Sequence, residues 1–186
     1  MSDRLTRRAV LLGASLAPLA AKADPVLAAL AEPRTHAALR HALAPGGGDP
    51  PGFRLDDPAT QRRLSDAGRA QARAIGARLA GVRFDHVLTS RWDRCRETAA
   101  LLGLGPPRDA PALDSFFGDR ARGPAQTEET RALLLAMAPE ETALLVTHQV
   151  NVTALTGVVP RSGEVVVFTI DHAGGVEVRG RIAVPA

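Results

Sequence analysis

The chain has 186 residues, 45% of them apolar, enough for one globular domain with a sizeable core. Aromatic residues make up only 3% and tyrosine is missing, which leaves little material for stacking nucleobases. The formal charge of +3 is held by residues 1–23, where Arg4, Arg7, Arg8 and Lys22 face Asp3 alone; the rest is balanced at 19 basic and 19 acidic side chains, and a DNA-binding surface loses its main support.

Taken in chain order, residues 1–23 read as an export signal. A basic start is followed by an apolar run from Ala9 to Ala21, and Ala21-Lys22-Ala23 forms a cleavage site of the A-x-A kind. The Thr6-Arg7-Arg8 context resembles a twin-arginine signal. That run spans 13 residues, interrupted by Gly13 and Pro18, and falls short of the roughly 20 needed to cross a bilayer. The expectation is a periplasmic protein with no stable membrane span after cleavage, residues 24–186 forming its one domain. A single cysteine, Cys95, excludes an internal disulfide even in that oxidising space.

The mature part alternates short apolar runs with helical segments. A first strand is expected at 35–41, followed by a loop rich in glycine and proline. Residues 64–81 read as a helix: Ser65 is placed to cap it, and Gly68, Ala72, Ile75 and Leu79 form a stripe at helical spacing. Residues 84–90 make a short buried strand and 91–103 a helix stopped by glycine and the Gly105-Pro106-Pro107 run beyond. An irregular stretch covers 106–126, and a helix capped by Thr127 follows to about residue 138. "ETALLVTH" is apolar on both faces, as a central parallel strand requires. A short helix at 150–157 leads to strands at 163–170 and 175–184, the last alternating as an edge strand does. The fold class is α/β, a three-layer sandwich with a mostly parallel central sheet and an antiparallel edge strand.

Three strands end on groups that handle anions. The first ends in Arg40-His41, the second in Thr89-Ser90 with Arg94 four residues on, the third in Thr147-His148. Ligands of open parallel sheets sit beyond the carboxyl ends of the strands. Two imidazoles and two guanidiniums converging there suit a tetrahedral dianion, with helix N-termini after Ser90 and His148 adding N–H donors. The competing reading of Arg40 and His41 is that they only finish a strand edge.

"LRHALAPG", "LSDAGRAQA", "TSRWDRCRETA" and "LLVTHQVNVTALTG" resemble, in order, the motifs of the histidine phosphatase superfamily, the phosphoglycerate-mutase-like fold, over about residues 35–170. The resemblance implies that His41 is a nucleophile forming a phosphohistidine, that Arg40 and Arg94 grip phosphate oxygens, and that His148 completes the pocket. Ser90 and Gln149 join the substrate-binding set. Ala42 and Gln149 stand where the family has glycine. Members often supply a carboxyl group between the second arginine and the second histidine to protonate the leaving oxygen; Asp114 is the candidate, then Asp119, and with neither the enzyme would favour leaving groups that need no protonation. The substrate expected is a small phosphorylated molecule, with no nucleic acid, cofactor or metal.

The remaining features carry less. Gly46-Gly47-Gly48 lacks the pattern of a nucleotide-binding loop and reads as a flexible rim. Asp56 and Asp57 are expected in solvent, His36, His86 and His172 to be structural or exposed, Thr98 to pack against the sheet and Cys95 to fill the core. No G-x-S-x-G elbow is present. The competing class of function is a phosphate-binding module of the same fold without turnover, located in the cell envelope.

Overall fold

In a computed structural model, residues 24–186 are described; the proposed export signal lies outside them. The chain runs α1 (Pro25–Ala29), β1 (Thr35–Arg40), α2 (Asp66–Leu79), β2 (His86–Thr89), α3 (Asp93–Leu102), β3 (Pro107–Asp109), α4 (Gly123–Leu135), β4 (Ala143–Thr147), α5 (Gln149–Thr156), β5 (Glu164–Ile170) and β6 (Val176–Ala183). The six strands form one sheet in the order β3-β2-β4-β1-β5-β6. Four are mutually parallel; β5 and β6 run antiparallel to the strand before them.

Alternation along the central strands builds the three layers. Ala37, Leu39, Leu144, Val146, Val165 and Val167 face one way, onto Ile75, Leu79, Cys95 and Ala99 of α2 and α3. Ala38, Leu145, Val166 and Phe168 face the other, onto Leu134, Val152 and Leu155 of α4 and α5. Both faces of β4 are dry, hence its unbroken apolar run. Burying side chains of this size contributes roughly 1.5–3 kcal/mol each.

The α2 helix forms as its sequence predicts. The Ser65 hydroxyl accepts from the Gly68 N–H at 3.0 Å, Asp66 stands at the positive end, Arg78 at the negative end, and the predicted stripe is buried. Gly68 has a positional reason: a Cβ there would lie 2.1 Å from the carbonyl oxygen of Leu43. Only glycine lets α2 approach the segment that follows His41.

Two assignments differ from the sequence reading. The stretch 106–126 is not wholly irregular, since Pro107–Asp109 pairs with β2 as an edge strand. Its three residues are exposed and one is proline, so no hydrophobic period announces it. The fourth helix starts at Gly123 rather than at a Thr127 cap: Pro124 sets the first turn, and the Thr127 hydroxyl donates to the Gly123 carbonyl at 2.7 Å inside the helix. Among the described residues, no helix is long and apolar enough to cross a membrane.

Candidate active site

Sheet register brings the strand ends together. Arg40 pairs with Thr147 across β1 and β4, and Thr89 with Val146 across β2 and β4. His41, Ser90 and His148 are the next residues on three adjacent parallel strands and leave the sheet side by side. The His41 and His148 rings lie 5.6 Å apart between centroids, edge to face. A cavity of about 160 Å³ opens beside them, lined by Arg40, His41, Asp49, Arg62, Arg94 and His148, with the 46–48 glycines, Phe117 and Gln149 at its mouth.

His41 is held in one tautomer. Its Nδ1–H donates to the Ala42 carbonyl at 2.8 Å, leaving the lone pair on Nε2, which accepts from Arg94 Nε at 3.3 Å. Burial, aided by the Arg94 guanidinium, lowers the ring's pKa to about 3, so the imidazole is neutral at physiological pH. His148 is likewise neutral: burial and then Arg94 hold its pKa well below the usual histidine range. Arg94 Nη2 donates to its Nδ1 at 3.4 Å, which puts the ring proton on Nε2, 2.8 Å from Ser90 Oγ.

From Ser90 the network runs away from the cavity. The hydroxyl donates to Asp114 Oδ1 at 3.3 Å, and Asp114 also accepts from the Arg91 backbone N–H at 2.9 Å and from Arg91 Nε and Nη2 at 2.8 and 2.5 Å. Two expectations are thereby corrected. Ser90 is fully buried and orients His148 instead of contacting a ligand. Asp114 sits behind Ser90 with both oxygens committed as acceptors, out of reach of a leaving group in the cavity. Asp119, the other candidate acid, is exposed and also lies outside the cavity lining.

Other predicted residues are where the strand ends suggested. Arg40 Nη1 donates to Gln149 Oε1 at 3.3 Å and to the Pro160 carbonyl at 3.0 Å, while its buried Nε has no partner. Gln149, on the first turn of α5, thus orients Arg40 at the cavity mouth. The buried Nε of Arg62 is likewise unpaired, its Nη1 being spent on the carbonyls of Ala44 and Gly46 at 2.8 and 2.7 Å.

Arg62, Asp49 and Thr98 are the participants that sequence reasoning missed or undervalued. Asp49 Oδ1 accepts from Arg94 Nη1 at 2.9 Å and Oδ2 from Trp92 Nε1 at 3.0 Å. Thr98 Oγ1 accepts from the Ala42 N–H at 3.1 Å and donates to the Arg94 carbonyl at 2.6 Å, so it ties the residue after His41 to the helix that carries Arg94. Its place four residues after Arg94 in S-x-x-x-R-x-x-x-T was a usable signal. Asp49 and Arg62 stand in or beyond a glycine-rich loop with no spacing to single them out.

Cys95 fills the core beneath His148 with its thiol pushed up to about 12 by burial. His36 is buried too; its Nδ1 accepts from the Ala143 N–H at 3.2 Å, and burial lowers its pKa to about 4. Among the described residues, no three His, Cys, Asp or Glu side chains are grouped to hold a metal ion.

With both imidazoles neutral, Arg40, Arg62 and Arg94 outweigh Asp49 around the cavity, and the excess of positive charge suits a phosphate dianion. An open α/β sheet with two histidines at its carboxyl edge and three arginines around the cavity defines the class: a fold with an anion pocket suited to a phosphate group. The model of the histidine phosphatase superfamily (branch 1) matches residues 57–133, a stretch that holds Arg62, Ser90 and Arg94 but neither histidine of the site. The matched stretch is less than half of the chain, and over it the chain is similar to that superfamily. Among solved structures, the protein histidine phosphatase SixA complexed with tungstate is similar at a TM-score of 0.60 and 18% identity, over 80% of this chain and 96% of that one. A protein of Nakamurella multipartitia assigned as phosphohistidine phosphatase SixA gives 0.59 and 22%, over 83% and 99%. One of Escherichia coli assigned as an alpha-ribazole-5′-phosphate phosphatase gives 0.60 and 20%, over 78% and 94%. No curated protein sequence matches the chain significantly. At 18–22% identity, these likenesses show that the chain shares the fold of those proteins.

Proposed function

We propose that this chain hydrolyses small phosphomonoesters or phosphoramidates through a phosphohistidine on His41. The observation that carries the proposal is the His41 ring: neutral by burial, fixed by the Ala42 carbonyl, with the lone pair of Nε2 beside Arg94 at the cavity. A nucleophile that is unprotonated and already aimed needs no separate base.

In this reading the phosphoryl group rests among Arg40, Arg62 and Arg94. His41 Nε2 forms a bond to phosphorus as the bond to the leaving oxygen or nitrogen breaks, and the leaving atom departs with the electron pair. The three guanidiniums stabilise the charge spread over the equatorial oxygens. Asp49, the carboxyl group that lines the cavity, takes the place expected of Asp114: once freed from Arg94 it takes the proton that a substrate monoanion brings and passes it to the leaving atom. Water then attacks phosphorus, releases phosphate and restores His41.

The test is incubation with an aryl phosphate and a search for an acid-labile phosphoenzyme. Wild type is expected to form it and turn over, and His41→Ala to do neither; full activity in His41→Ala overturns the reading. Phosphate binding without release from any ester or amide would mark the chain as a binding module instead. The leader at residues 1–23 supports export to the periplasm, with envelope phosphates as the substrates within reach; cleavage after Ala23 in secreted protein tests this.

A further inference from the structure

Asp49 is in an unusual position for a group at a phosphate site. Its carboxylate takes Nη1 of Arg94, a donor that the proposed reaction assigns to phosphate. Its other oxygen is held by the indole N–H of Trp92, a residue on the same turn as Arg94. A phosphate dianion seated against Arg94 would face this carboxylate at contact distance, where like charges repel strongly in a half-buried setting.

The segment carrying Asp49 is built to let it go. Arg62 clamps the carbonyls of Ala44, Pro45 and Gly46, which fixes the base of the loop. From the last clamped residue on, Gly46 and Gly48 have φ of +99° and +65°, and a Cβ on Gly47 would meet nothing within 4 Å. Gly46 at the end of that base and the two glycines between it and Asp49 permit backbone rotation that a residue with a side chain would resist.

Resting on the phosphatase reading, we propose that Asp49 is a resident anion on Arg94 that substrate phosphate displaces, the Gly46–Gly48 segment serving as the hinge. Binding of phosphate breaks two hydrogen bonds, Arg94 to Asp49 and Trp92 to Asp49, and replaces the first by Arg94 to phosphate. The released carboxylate, no longer paired with a guanidinium, is then free to take the proton that a substrate monoanion brings and hand it to the leaving atom. Asp49 is thereby both the anion that substrate displaces and the acid itself, which couples occupancy of the pocket to the availability of the acid. It also sets specificity: a weakly charged anion that cannot compete for Arg94 leaves the carboxylate in place.

Trp92 is the only tryptophan in the chain, and its indole N–H contacts the group that moves. Orthophosphate is titrated into wild type, Asp49→Asn and Asp49→Ala, followed by tryptophan emission and by competitive inhibition of aryl phosphate turnover. Wild type is expected to change emission saturably at the phosphate concentration that inhibits. Both variants should bind orthophosphate at least about tenfold more tightly, and Asp49→Ala should start near the emission of phosphate-bound wild type. Turnover in the variants should fall most for substrates with poor leaving groups. Unchanged or weaker phosphate binding in both variants overturns the displacement while leaving the phosphatase reading intact. Failure of every form to bind orthophosphate, with no phosphoenzyme from wild type, overturns that reading and this one with it.

Discussion

Arg94 touches both imidazoles of the site at once: its Nε lies 3.3 Å from His41 Nε2 and its Nη2 3.4 Å from His148 Nδ1. Because a guanidinium only donates, this one contact fixes which nitrogen of each ring carries the proton. The side chain is only 3% exposed, so the planar fork is locked by its surroundings.

Lysine cannot reproduce that fork. Arg94→Lys keeps the charge but offers one compact ammonium in place of donors spread over three nitrogens. The expected outcome is a fall of about 100-fold or more in kcat/KM on an aryl phosphate with the fold retained, checked by steady-state kinetics beside a melting curve. Near-normal kinetics in Arg94→Lys would mean that charge alone matters there.

Acid should destabilise the protein well before it protonates the nucleophile. His36 and His41 have pKa values lowered to about 4 and about 3, and that of His148 is lowered as well. In the unfolded chain each takes up a proton near pH 6.5. Below that pH the unfolded state binds more protons than the native state, so stability is full above about 6.5 and is lost as pH falls toward the native values. Each pH unit in this window removes about 1.4 kcal/mol per buried histidine. Denaturant unfolding between pH 7 and 5 should show the decline, with kcat/KM having no acid limb at 6.5 where folding persists.

Thr98 serves the nucleophile through the backbone. Thr98→Val removes the acceptor of the buried Ala42 N–H, at a cost of about 1–3 kcal/mol. Since the Ala42 carbonyl orients the His41 ring, kcat should fall more than KM rises. Thr98→Ser should restore both. A valine variant as active as wild type would reduce Thr98 to packing.

Asp114 and Asp49 can be told apart by leaving group. Asp114→Asn should weaken the pairing with Arg91 and disturb the Ser90–His148 alignment, destabilising the fold by about 1–3 kcal/mol. Its loss of kcat should be the same for nitrophenyl and alkyl phosphates, because Asp114 gives no proton to the leaving oxygen. A loss that steepens with the basicity of the leaving group would return Asp114 to the role of acid.

Some of this was legible without coordinates, and the reason is local. A buried parallel strand needs an unbroken apolar run, as 143–147 has, and an amphipathic helix needs a cap and a stripe, as Ser65 and Gly68 to Leu79 supply. Polar residues that end such strands fall at the edge of the sheet, so Arg40, His41 and His148 could be read as neighbours from position alone. Which groups face the cavity is a matter of side-chain direction and partners, set by contacts between segments far apart in the chain. Ser90 turned inward because its hydroxyl accepts from His148 Nε2 and donates to Asp114; Asp114 left the cavity because Arg91 took its oxygens. Asp49 and Arg62 entered it because a glycine-rich loop has no period of its own and takes its path from the guanidinium that binds its carbonyls. The order of apolar runs determined the scaffold and the strand-end residues, while hydrogen bonds spanning 16 to 58 residues decided the rest of the site.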